Sequence, residues 1–358
     1  MRIFTTLLAS AALIACVGAT IARAEDPVTM GYLLSGPVGD VGWVKQLDAG
    51  RVHAEEALGA EVKSQVVENV PEGPDVPRVI NEMIGNGADL IMLGTFGYMN
   101  DGLRIAEQNP DVRFLHASGY KQLPNFATFT VKTFQGAYVG GMAAGMVSKT
   151  NEIGIVAAFA IPEVIGIVDA FALGARETNP DAKIKIVWVN TWYDPPKTGN
   201  AARALLSQNV DVLFSLYQND PSVVNVAEES GVYSVATTDM SKYAPTKGLA
   251  MMNLKLGPLF AEVARSVADG TFEGVNHWIG FPDQAIEMVG LSPDLTAEQR
   301  KQLDDAVTEL ASGKEIIFAG PIRDQSGAVV VPEGEVMDAA AIQSVNWLVE
   351  GVEGGLPQ

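Results

Sequence analysis

The segment VTMGYLLSGPVGDVGWVKQLDAGRVHAEEAL, residues 28–58, reads as one complete unit of strand, loop and helix. Val28 to Leu34 is an apolar run of strand length, and Ser35 to Trp43 is broken by glycines and Pro37. From Val44 to Leu58, Leu47, Gly50, Ala54 and Leu58 recur at helical spacing. Repeated along a chain, such units build a mostly parallel sheet covered by helices.

The repetition continues. Val62 to Val67 reads as a strand, a link with Pro71, Pro74 and Pro77 follows, and Val79, Ile80, Met83 and Ile84 mark a helix that Gly85-Asn86-Gly87 ends. Asp89 to Gly94 is a buried strand leading into Thr95-Phe96-Gly97-Tyr98. Arg203 to Gln218 echoes that order of helix, turn, Asp-initiated strand and polar loop, which suggests two similar α/β lobes. Crossings between the lobes are predicted near Thr130 to Thr133, Thr238 to Lys242 and Thr271 to Gly280. They divide the chain into an N-terminal lobe of 25–132 and 241–275 and a C-terminal lobe of 133–240 and 276–358. The small-residue run from Gly136 to Gly145 predicts a helix that packs closely on a neighbour.

Residues 1–24 read as an export signal: a charged start, an apolar run from Ile3 to Val17, and Ala22-Arg23-Ala24 before Glu25. A second reading is a lipobox, Leu13-Ile14-Ala15-Cys16, with Cys16 acylated as a membrane anchor. Either way the folded part is expected to be periplasmic, with no cysteine left for disulfides, thiolate catalysis or metal ligation. Roughly 330 residues remain, enough for two cores. The formal charge is −19, and loss of Arg2 and Arg23 with the leader takes it to −21. Without a basic stripe, nucleic acid is disfavoured as a partner.

In open α/β sheets ligands bind beyond the carboxyl ends of the strands. That rule selects loops containing Trp43, Thr95, Phe96 and Asp40 in the first half, and Phe159, Trp192, Asp194, Asn219 and Asp239 in the second. Trp43 and Trp192 sit near Asp40 and Asp194 in equivalent places, so two flat surfaces could close on one planar ligand. Stacking a base on an aromatic ring contributes about 1–3 kcal/mol per face. The carboxylates supply acceptors for hydroxyl and ring N–H groups and repel phosphate, and no Gly-x-x-x-x-Gly-Lys cradle is present. The expected ligand is neutral, flat and polar at its edges, and no cofactor is expected.

Several of these stretches, Gly39-Asp40-x-Gly-Trp43, Gln135-Gly-Ala-Tyr-Val-Gly-Gly, Ile161-Pro-Glu-Val, Phe171-x-x-Gly-Ala, Val187 to Lys197 and Thr238-Asp-Met240, together resemble the basic membrane protein (Bmp) family. These are substrate-binding proteins of ABC importers, including the purine nucleoside receptor A type. The resemblance implies a type I periplasmic-binding fold of two Rossmann-like lobes, with a purine nucleoside or nucleobase in the interlobe cleft. It also implies delivery to an ABC permease and its ATPase; the chain itself is expected to be a monomer. By position it implies base-stacking roles for Trp43 and Trp192, and ribose or base-edge roles for Asp40, Asp239 and Lys255. Val44 stands where many members carry Asn, and Tyr217-Gln218-Asn219-Asp220 replaces a common polar pair, which leaves free base and nucleoside both open.

Against catalysis, His53, His116 and His277 are widely separated and no His-Glu-x-x-His or Gly-x-Ser-x-Gly signature occurs. The chain is therefore expected to be a binder and not an enzyme. A sugar or other small-solute binder of the same fold, and a nucleoside hydrolase working through paired carboxyls, are the alternatives.

Overall fold

The computed structural model describes residues 26–357. The predicted leader and Cys16 lie outside them, and no described helix is long and apolar enough to cross a membrane.

Strand β1 (Val28–Leu33), buried along its whole length, is followed by α1 (Trp43–Leu58), β2 (Val62–Val67), α2 (Val76–Gly85) and β3 (Leu90–Leu93). Then come α3 (Met99–Gln108), β4 (Arg113–Ala117) and β5 (Phe126–Val131). These strands pair in parallel, so the apolar runs are covered on both faces, as their lack of alternation requires.

The second lobe starts at α4 (Thr133–Val147) and repeats the pattern through β6 (Glu152–Ala157), α5 (Pro162–Thr178), β7 (Lys183–Trp188), α6 (Pro195–Leu206) and β8 (Val212–Leu216). It continues with α7 (Ser222–Ser230), β9 (Tyr233–Ala236) and β10 (Gly248–Leu254). The chain then returns to the first lobe, where α8 (Gly257–Ala268) packs on α1 and β11 (Asn276–Ile279) extends the sheet beside β5. The remainder belongs mostly to the second lobe: β12 (Ile286–Val289) antiparallel to β10, α9 (Ala297–Ala311), the ribbon of β13 (Ile322–Arg323) and β14 (Val329–Val331), α10 (Ala339–Ile342), and β15 (Val352–Glu353) beside β7. The six-stranded sheet runs β11-β5-β4-β3-β1-β2, and the seven-stranded sheet runs β12-β10-β9-β8-β6-β7-β15. Two Rossmann-like lobes are thus present.

The chain passes between lobes at Lys132, at Lys255 and Leu256, and between Gly280 and Ala285. The second passage differs from the expected Thr238 to Lys242, because β10 pairs in parallel with β9 and keeps the chain in the second sheet until Leu254. The third falls after β11, so residues 276–279 belong to the first sheet and not to the C-terminal lobe. The passages are tied together: Lys132 N donates to Ile279 O at 2.7 Å and Lys255 N to Ala285 O at 2.9 Å.

Helix α5 holds the C-terminal tail through Asp169, whose Oδ1 accepts from Val349 N at 2.9 Å. Its Oδ2 is buried and accepts nothing from the described residues. Burial therefore pushes the Asp169 carboxyl well above the usual carboxylate range. A raised carboxyl means the folded chain keeps a proton that the unfolded chain releases at about pH 4, so stability falls as pH rises from there to the folded-state pKa. Asp169→Asn keeps the acceptor and is neutral without taking up a proton, so it should stabilise by about 1–3 kcal/mol at pH 8 and far less at pH 4. Thermal melts at both pH values check this, and an equal gain at both would refute the assignment.

Candidate functional site

The facing strand ends enclose a thin slot to which each lobe contributes five residues. From the first lobe come Ser35, Trp43, Thr95, Phe96 and Ser118, and from the second Ile161, Glu163, Trp192, Tyr217 and Asn219. The void between them leaves only ≈ 20 Å³ for the centres of water-sized spheres, room for about one water. A planar group can enter such a slot when the lobes part about the three crossings.

Trp43 is the first residue of α1, and its half-buried ring packs at 6.3 Å on Phe129 and 5.9 Å on Tyr217. Nε1 donates to Gly94 O at 2.8 Å, which fixes the indole plane. Trp192 approaches from the loop after β7, beside Phe159 at 4.9 Å, and its Nε1 donates to Glu72 of the other lobe at 3.3 Å. Glu72 also accepts from Thr95 Oγ1 at 2.6 Å and Gly97 N at 3.1 Å, so it orders the first-lobe rim.

The lobes meet at the start of α1, which has no side-chain cap from its own segment. Asn219 Oδ1, across the slot, accepts from Val44 N at 3.1 Å, and Thr238 Oγ1 accepts from Gly42 N at 3.3 Å. Gly42 adopts φ 88°, and a Cβ there would lie 2.5 Å from Asn219 Cα. Both the left-handed backbone and the close approach require glycine.

Of the predicted site residues, Trp43, Thr95, Phe96, Trp192 and Asn219 line the slot. Asn219 does so in a role not expected of it: besides capping α1, its Nδ2 donates to Trp192 O at 3.1 Å. Phe159 backs Trp192 at the outer mouth. The structure places the remaining four away from the slot lining. Asp40 is exposed and bonded to Lys242 and, at 2.7 Å, to Tyr243, an outer latch between lobes that holds its carboxyl below the usual range. Asp194 caps α6 by accepting from Lys197 N at 3.0 Å. Asp239 accepts from Ser241 N and Oγ at 3.0 and 2.7 Å. Lys255, on a crossing, pairs with Glu287 at 3.0 Å. In each case another group of the protein already pairs with the charge, locally for Asp194 and Asp239 and across the chain for Asp40 and Lys255.

Five lining residues were not named as site residues from sequence: Ser35, Ile161, Ser118, Glu163 and Tyr217. Glu163 Oε1 accepts from Tyr217 OH at 2.7 Å, and Oε2 is buried with no partner among the described residues. Burial raises the Glu163 carboxyl above the usual range and drives the Tyr217 phenol up as well. Ser118 and Tyr217 both hold positive φ, 60° and 54°, strained backbone of the kind that collects at binding sites. The nearby His116 is structural: fully buried, bonded through Nε2 to Thr95 O at 3.0 Å, and pushed down to about 4 by burial, so it is neutral. With no Lys or Arg in its lining, the slot suits an uncharged planar molecule with donors on one edge.

Residues 28–324 match the model of a family described as Bmp, ABC transporter substrate-binding protein PnrA-like. A purine-binding protein of Brucella abortus (strain 2308) is 34% identical over 338 residues, covering 94% of this chain and 96% of that one. A candidate ABC transporter glucose-binding protein of Haloferax volcanii is 30% identical, covering 93% and 82%. Among solved structures, an ABC transporter solute-binding protein from Aeropyrum pernix K1 superposes with TM-score 0.71 at 16% identity, covering 81% and 94%. Another, from Conexibacter woesei, does so with TM-score 0.63 at 21% identity, covering 81% and 98%. These structures share the fold.

Proposed function

The chain belongs to the Bmp family of PnrA-like ABC transporter substrate-binding proteins, and from that premise we propose that it captures an uncharged purine, base or nucleoside, in the periplasm. As a monomer it would then present the closed complex to its permease. The family role itself implies a small-molecule ligand, a permease partner and a place outside the cytoplasm. Purine as the ligand rests on one observation above all: two indoles, one from each lobe, line a single thin slot. The purine-binding Brucella relative supports the same choice. Glu163, a slot-lining carboxyl, offers an acceptor to an edge N–H, and the absence of basic lining residues disfavours nucleotides. Transport energy would come from the partner ATPase, and the chain performs no chemistry on its cargo.

The glucose-binding relative makes a sugar the competing reading. Calorimetric titration of protein freed of co-purifying ligand should give saturable binding of adenine or inosine near micromolar Kd, about 8 kcal/mol, with no heat from glucose. Inosine should be recovered intact. Saturation by glucose alone would replace the purine reading, and release of hypoxanthine would make the protein a hydrolase.

A further inference from the structure

Beside the slot, and sharing Phe96, Ser118 and Glu163 with it, lies a chamber of ≈ 450 Å³. This is a ligand-sized volume, against room for about one water in the slot. Most of its walls come from residues that do not line the slot: Val131 and Phe134 at the first crossing, Trp278 of β11, Gly166 and Ile167 further along α5, and Ile342, the last residue of α10. Those walls are mostly apolar, with Tyr120, Thr130, Gln343 and Ser344 as their polar members. Glu163, shared with the slot, sets a carboxyl at the junction, its Oε1 accepting from Tyr217 OH at 2.7 Å and its Oε2 without a partner among the described residues.

We propose, building on the purine reading, that slot and chamber form one continuous site and that the preferred cargo is a purine carrying an alkyl or aryl group on its exocyclic amine. The ring lies between Trp43 and Trp192, the amine N–H donates to Glu163 at the junction, and the apolar group fills the chamber. Ribose fits these walls less well than a hydrocarbon group, because most of the surface its hydroxyls would meet is phenyl, indole and aliphatic, and burying a hydroxyl without a partner is unfavourable. A benzyl group matches in both size and polarity, since a dry cavity of about 150 Å³ already suffices for benzene.

Gly166 supplies the test. It lies within α5, and a Cβ added there would meet only Ile342 O, at 3.9 Å, so a larger side chain projects into open chamber without touching the slot. Leucine also favours the helix over glycine. The experiment titrates wild type and Gly166→Leu with adenine, adenine benzylated on its exocyclic amine, and inosine. Expected in wild type is at least tenfold tighter binding of the benzylated base than of adenine. In Gly166→Leu that advantage should vanish while adenine stays within twofold, which also shows that the variant is folded. Equal wild-type affinities for the two bases, or an undiminished benzyl advantage in the variant, overturns the chamber. An inosine affinity that drops with Gly166→Leu overturns it too, by making the chamber a sugar site. If no purine binds wild type at all, the function proposed above fails first and the chamber's assignment with it.

Discussion

Trp192→Ala is expected to weaken purine binding by roughly 5- to 150-fold, the equivalent of one stacking face at about 1–3 kcal/mol, with the melting temperature nearly unchanged. The indole is half-buried in a loop, and beyond the ligand it touches Phe159 and the rim carboxylate Glu72. Its removal leaves both sheets and their cores intact. Trp43→Ala should weaken binding as much and also lower the melting temperature by about 4–10 °C, since truncating a packed Trp costs up to about 3–5 kcal/mol. The asymmetry follows from Trp43's place on Phe129 and Tyr217 and its bond to Gly94 O. Calorimetry for affinity, paired with thermal melts for stability, separates the two effects. Unaltered affinity in both variants would remove the aromatic clamp from the mechanism.

The lobes were legible because a parallel strand is covered on both faces and so leaves an unmistakable apolar run; β1, β3 and β8 are each buried throughout. The second crossing was not legible. Thr238 to Lys242 has the polar, turn-rich character of a link, yet what keeps the chain in the second lobe is pairing of β10 with β9, a contact between strands that local composition does not encode. The same limit applies to β11, whose Asn276-His277-Trp278-Ile279 finds β5 more than 140 residues away.

At the site, aromatic residues in strand-end loops were readable and acidic ones were not. Indoles at the strand ends are too large to be covered by their own segments, so Trp43 packs on Phe129 and Tyr217 and Trp192 on Phe159 while both line the slot. Asp194 and Asp239 have backbone N–H groups two or three residues away, which is how aspartate usually behaves at a helix start or turn. Glu163, the carboxylate that does line the slot, is set apart only by the tertiary packing that buries it against Tyr217 and Ser118.

Gly141→Val should produce the largest loss of stability of any single change considered, about 3 kcal/mol or more and a melting temperature lower by about 6–12 °C. Helices α4 and α5 cross with their backbones almost in contact. A Cβ on Gly141 would lie 2.1 Å from Phe171 O and 3.0 Å from Ala175 N, and one on Gly174 would lie 2.1 Å from Tyr138 O. Backbone atoms cannot rotate aside as side chains do, so the helices would have to separate. That movement would carry Phe171 off Phe214, now stacked at 4.6 Å, and would shift the first turn of α5 that holds Glu163. Ligand binding should therefore weaken along with the fold. Gly85→Ala is the matched control: it lies in α2 with open space around the added methyl, and alanine favours the helix over glycine, so its melt should equal or exceed wild type. A Gly141→Val melt within 2 °C of wild type would mean that the crossing of α4 and α5 yields more easily than backbone contact allows.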